Sequence, residues 1–255
     1  MRHCMTAISL VLLLAMTGCK TADTPLAGKA IDSLTGQHDA TEERLATAAA
    51  DAVIAGKTEE ALTHYEQLYT NPNMGVFKAA NYRNEDIALN YAQLLRKTGK
   101  AQRAATVLAP LVQSRRGGLK SNAPPIILNE FAAVHIELGN FEKAEEVLNE
   151  VLDKSRSKAF HADAHNLMGI SLDAQGKHKE AEKSFRLALQ DWKGDSTSVM
   201  NNLAVCLASQ GLFDESLSTL RQALVMAPDK REIAQNIEIV SEIGQSLLPK
   251  PKKTN

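Results

Sequence analysis

From Thr41 onward, apolar residues recur at three- and four-residue intervals, the period of amphipathic helices, and the same arrangement returns five times along the chain. A glycine stands at the same place in each return: Gly56, Gly99, Gly139, Gly176 and Gly211, at spacings of 43, 40, 37 and 35 residues. The last unit is the clearest. Met200, Leu203, Ala204 and Leu207 precede Gly211, and Ser216, Leu220, Ala223 and Pro228 follow it. The unit before it carries His165, Met168, Gly169, Leu172, Gly176, Ala181, Phe185 and Ala188 in the same order. The third has Leu128, Phe131, Ala132, Gly139, Phe141, Ala144 and Leu148, and the second Tyr91, Ala92, Leu95, Gly99, Ala104, Leu108 and Leu111. The first is the most divergent, with Leu45, Ala48, Ala49, Ala52, Gly56, Ala61, Tyr65 and Leu68. The pattern predicts five helical hairpins and no strands.

Each recurrent position has a physical reason. Small residues at Ala92, Ala132, Gly169 and Ala204 let the first helix of a hairpin approach the second, and Ala104, Ala144 and Ala181 do the same from the other side. The glycine ends the first helix, because it takes the left-handed conformation of a helix C-terminus without a β-carbon penalty. The order large, apolar, small, large, then small, large, small, Pro resembles the tetratricopeptide repeat (TPR), whose unit is about 34 residues. That resemblance implies an all-α, TPR-type α-solenoid over residues 42–230, in units 42–75, 85–118, 125–158, 162–195 and 197–230. Ile233, Ile237, Ile239, Val240 and Ile243 predict one more amphipathic helix, capping the open end of the array within a C-terminal segment 231–255 that finishes in a short basic tail. Asn71 to Gly75 and Arg115 to Pro125 have surface-loop compositions, and Pro110 should shorten or kink the second helix of its hairpin.

Composition fits this picture. Aromatic residues make up 4% of the chain, few for one deep core but enough for units that pack only on their neighbours. Charge is balanced, 29 Lys and Arg against 30 Asp and Glu, so there is no basic face to recruit nucleic acid.

The N-terminus does not follow the repeat pattern. Arg2 and His3 precede the apolar run Ala7 to Met16, which as a helix would rise only about half the roughly 30 Å of a bilayer. It has the form of a signal peptide, residues 1–18. Met16-Thr17-Gly18-Cys19 resembles the lipobox of bacterial lipoproteins, which implies cleavage before Cys19, lipidation of that cysteine and anchoring of the chain in a membrane. Lys20 follows the lipid site, and by resemblance to enteric lipoproteins this favours the periplasmic face of the outer membrane. Residues 19–41 then form a tether. In the mature chain Cys206 would be the one other thiol, so no intrachain disulfide is expected.

Little in the sequence points to chemistry. His161 and His165 are spaced to share a helix face, but no third ligand accompanies them in a motif, and His165 occupies a packing position of the repeat. Cys206 sits among Ala204, Val205 and Leu207, where a small buried hydrophobe is expected. No phosphate loop, serine elbow or paired-acid motif is present, and the reading is of a non-enzyme without metal or cofactor. The inner helix face of the repeats is a better candidate. Counted in register, it presents Asp86, Asn90, Gln93 and Lys97, then Asn129, Glu130, Ala133 and Glu137, then Asp163, Asn166, Leu167 and Ile170, then Asn201, Asn202 and Val205. Asn90, Gln93, Asn129, Asn166, Asn201 and Asn202 are the candidate partner-binding residues, since amides suit the backbone of an extended peptide. Basic residues are scarce on this face, so a clamp for a free C-terminal carboxylate is not expected.

The lipobox, the tether, the divergent repeats and the ending Ala223, Leu224, Ala227, Pro228, Gln235, Asn236 together resemble the TadD lipoproteins of tight-adherence (Flp) pilus assembly. The resemblance implies a pilotin-like factor whose partner is an outer-membrane secretin. An alternative is a periplasmic TPR adaptor lipoprotein of the NlpI kind, recruiting cell-wall enzymes or proteases.

Overall fold

The computed structural model describes residues 40–70, 82–114, 118–120 and 122–247. The signal peptide, the lipobox with Cys19, most of the tether and the basic tail lie outside them. The described residues form eleven helices: α1 (Ala40–Ile54), α2 (Thr58–Thr70), α3 (Tyr82–Lys97), α4 (Ala101–Val112), α5 (Pro125–Glu137), α6 (Phe141–Lys154), α7 (Lys158–Ala174), α8 (His178–Asp191), α9 (Thr197–Ser209), α10 (Phe213–Met226) and α11 (Arg231–Leu247). The first ten pair into five hairpins, as the glycine register predicts. They fall into two compact units, α1 to α6 and α7 to α11. Among the described residues no helix is long and apolar enough to cross a membrane.

The five turn glycines all adopt positive φ, from 70° at Gly56 to 81° at Gly211. At Gly211 the reason is visible. The Leu212 N–H donates to the Leu207 carbonyl at 3.0 Å and the Gly211 N–H to that of Ala208 at 2.9 Å, so two otherwise orphaned helix-end carbonyls are satisfied by a left-handed residue. The small residue after each turn is fully buried: Ala61, Ala104, Ala144, Ala181 and Ser216 are all at 0% exposure. Large side chains one turn further on, Tyr65, Leu108, Leu148, Phe185 and Leu220, are buried beside them. Pro110 acts as expected. It removes one backbone donor, and α4 stops two residues later after 12 residues, where α6, α8 and α10 run 14. Pro124 and Pro125 open α5, where a missing N–H is harmless.

In the unit α7 to α11, α8 packs on α9 and α10 on α11. Ile233 and Val240 of α11 are buried against Met200, Ala204, Leu220 and Ala223, with Phe213, Leu217 and Ile237 at the margin. α11 therefore closes the unit in the place a sixth hairpin's first helix would take. In the unit α1 to α6, Tyr65 and Tyr91 stack with ring centroids 6.4 Å apart, and Tyr69 lies 5.8 Å from Tyr91.

Candidate protein-binding face

The first helices of neighbouring hairpins touch along one side of each unit, α7 with α9 and α9 with α11 in one, α3 with α5 in the other. The polar residues of these helices make the candidate site. Asn129, Asn166 and Asn201 each stand ten residues before a turn glycine, so the repeat puts one amide at the same point of three first helices. All three are buried. An amide there must find partners within the protein or give up its hydrogen bonds.

In the unit α7 to α11 those partners come from the next helix. The Asn202 amide donates to Asn166 Oδ1 at 3.2 Å, joining α7 to α9. The Asn236 amide donates to Asn201 Oδ1 at 2.8 Å, joining α9 to α11. Each pair couples a buried amide to a half-buried one, so Asn202 and Asn236 reach the surface already oriented. One turn before Asn166 on α7 stands Asp163, whose carboxyl burial pushes up to about 6. His165 is half-buried, and burial lowers its pKa, with His161 adding repulsion. His161 itself is engaged elsewhere, its Nε2 lying 2.8 Å from the Ser155 carbonyl oxygen.

The unit α1 to α6 uses its register differently. Burial raises the Tyr65 pKa and Asn90 opposes the rise, and Gln93 is half-buried. The residue equivalent to Asn90 and Asn202 in the third hairpin is Glu130, which is buried. Arg96 meets it, with Nε 2.6 Å from Oε1 and a second nitrogen 3.3 Å from Oε2, and also reaches Glu137 at 2.9 Å. Counting along the sequence placed Lys97 on this face. Lys97 is exposed, and Arg96, one residue or about 100° of helix earlier, faces α5. Asp86 is exposed and its carboxyl pKa is raised by desolvation. On α2, Glu66 accepts from the Tyr91 hydroxyl and pairs with Arg103, whose guanidinium lies 5.9 Å from the Tyr91 ring centroid.

Cys206 is buried, as the sequence led us to expect. Its neighbours are not only apolar: Asp173 and His178 converge on it. They are 33 and 28 positions away in sequence, on two other helices or their ends, and no local spacing signals the meeting.

This stack of hairpins matches known repeats. Models of the tetratricopeptide repeat match residues 125–193 and 168–231. This is a tetratricopeptide-repeat fold. A thermophilic TPR protein of Thermus thermophilus superposes with a TM-score of 0.62 over 79% of this chain and 99% of that one, at 18% identity. A tetratricopeptide repeat protein from Parabacteroides merdae superposes at 0.55 over 80% and 73%, at 20% identity. No curated protein matches the chain in sequence. TPR repeats make it a protein–protein interaction scaffold, on a fold that typically carries no catalysis.

Proposed function

We propose that the chain is a lipid-anchored scaffold on the periplasmic face of the outer membrane, and that its inner helix faces hold an extended segment of a secretin subunit during assembly of a tight-adherence pilus. The observation that carries the binding role is the pair of amide bridges Asn166–Asn202 and Asn201–Asn236. Each fixes a half-exposed amide on rigid helices, so a peptide backbone laid across α7, α9 and α11 would meet oriented donors and acceptors at little entropic cost. Asp163, in a poorly solvated position on α7, supplies a carboxylate that a cationic side chain of the partner would stabilise. The anchoring role rests on Met16-Thr17-Gly18-Cys19, and the choice of partner on the TadD-like ending of the repeats.

The test is a co-purification from membranes with wild type, Asn202→Ala, Asn236→Ala and Cys19→Ser. Wild type should bring down a secretin. Either Asn variant should weaken capture by about tenfold, the order of 1–3 kcal/mol for a lost hydrogen bond in a buried interface. Cys19→Ser should leave the outer-membrane fraction, since the anchor holds through buried methylenes at ~0.8 kcal/mol each. If deleting the gene spares secretin multimers and pili but alters cell-wall or protease phenotypes, the adaptor reading replaces this one.

A further inference from the structure

Cys206 lies on α9 with its thiol donating to the backbone carbonyl of His178 at 3.1 Å. Two other side chains close on it from the turn between α7 and α8. Asp173 is near the end of α7 and His178 is the first residue of α8, and His178 Nδ1 stands 2.7 Å from Asp173 Oδ1. One ligand atom from each of Asp173, His178 and Cys206 lies within 4.8 Å of the other two. Two zinc–ligand bonds of roughly 2.0–2.3 Å each bridge nearly that span, so small side-chain rotations would bring all three onto one ion. Asp173 and Cys206 are buried, while a quarter of the His178 side chain is exposed (26%), which leaves an entrance. Behind the thiol, Gln210 Nε2 lies 3.8 Å from Sγ and donates to Glu182 Oε2 at 2.9 Å.

A packing role accounts for the thiol alone and gives no reason for a mostly buried Asp173 aimed at a histidine beside it. A Cys–His–Asp nucleophile does not fit either. The thiol donates to the backbone carbonyl of His178 and not to its ring, so the imidazole does not activate it. Thiolate, imidazole and carboxylate together are the donor set of a borderline-soft divalent ion.

We propose that Asp173, His178 and Cys206 form a three-ligand site for zinc(II), with the fourth position left to water or to a group from a partner. Binding removes the Cys206 proton to solvent, and the imidazole exchanges its Nδ1 proton for one on Nε2, so one proton is released per ion. The ion would tie the end of α7, the start of α8 and the middle of α9 together, stapling the fourth hairpin to the fifth. The site does not depend on the secretin reading.

The test is a cobalt(II) titration of the reduced, purified full-length chain, followed by zinc displacement. One cobalt per chain should give the near-ultraviolet thiolate-to-cobalt absorption and the visible bands of a four-coordinate site, both abolished by one equivalent of zinc. Cys206→Ser should lose the thiolate band although Cys4 and Cys19 remain. His178→Ala should lose at least about tenfold in affinity, and His165→Ala should change nothing. Zinc should also raise the Tm of wild type and not that of His178→Ala, a readout that stands even if Cys206→Ser folds poorly. Helical wild-type protein without the thiolate band, a band that survives Cys206→Ser, or unchanged affinity in His178→Ala would each overturn the proposal.

Discussion

The Phe185 ring rests directly on Gly169: a β-carbon built on Gly169 would lie 2.6 Å from Phe185 Cε1 and 2.7 Å from Cδ1. Phe185 is itself buried at 1% exposure, so the ring has little room to withdraw. Gly169→Ala sets about 1 kcal/mol of improved helix propensity against an overpacking cost of roughly 1–3 kcal/mol. The net effect should be destabilising, read as a lower Tm. A variant more stable than wild type would mean that α7 and α8 do not meet here.

The repeat register makes a wider prediction. Ala181 and Ala204 are both at 0% exposure, and the Ser216 hydroxyl donates to the Ala204 carbonyl at 2.6 Å across the same contact. Replacing either alanine with Phe should cost on the order of 1–3 kcal/mol or more. Lys179→Phe, on the exposed start of α8, should cost little. Thermal melts that coincide for the three variants would show the register to be misassigned.

Arg96 and Glu130 are each near 6% exposed in their side chains, a buried pair rather than a surface one. Desolvation pushes the Glu130 carboxyl pKa up, and Arg96 opposes that shift. Arg96→Met should therefore destabilise the protein by about 3–5 kcal/mol, because it strands a buried carboxylate. Arg96→Met with Glu130→Leu should recover much of the loss. Urea denaturation of the single and double variants checks both statements, and a double variant no better than the single would refute the account.

Asp163 carries the pH prediction. Its folded pKa of about 6 lies above the ordinary aspartate value of 3.8, so folding favours its protonated form. Its favourable contribution is complete below pH 3.8 and is lost as pH rises to about 6. Asp163→Asn should thus be more stable than wild type at pH 8, by on the order of 2 kcal/mol, and no more stable at pH 3. The comparison is a pair of denaturation curves at the two pH values. A gain of equal size at both would assign the effect to something other than this carboxyl.

What the sequence determined by itself is the hairpin. Apolar spacing and a turn glycine are local signals, because a helix buries whatever recurs every three or four residues and ends where a left-handed residue is available. That is why the small positions Ala104, Ala144, Ala181 and Ser216 could be named in advance and are all buried. The candidate amides were legible as a register too, but not their engagement. Asn166 meets Asn202, and Asn201 meets Asn236, across 36 and 35 residues, and only the stacking of one hairpin on the next brings them together. The same holds for Arg96, which meets Glu130 across 34 residues, and for Asp173, His178 and Cys206, which share no motif. Tertiary structure decided these because each depends on the rotation between neighbouring helices, a quantity set by how side chains interlock and carried by no single stretch of sequence.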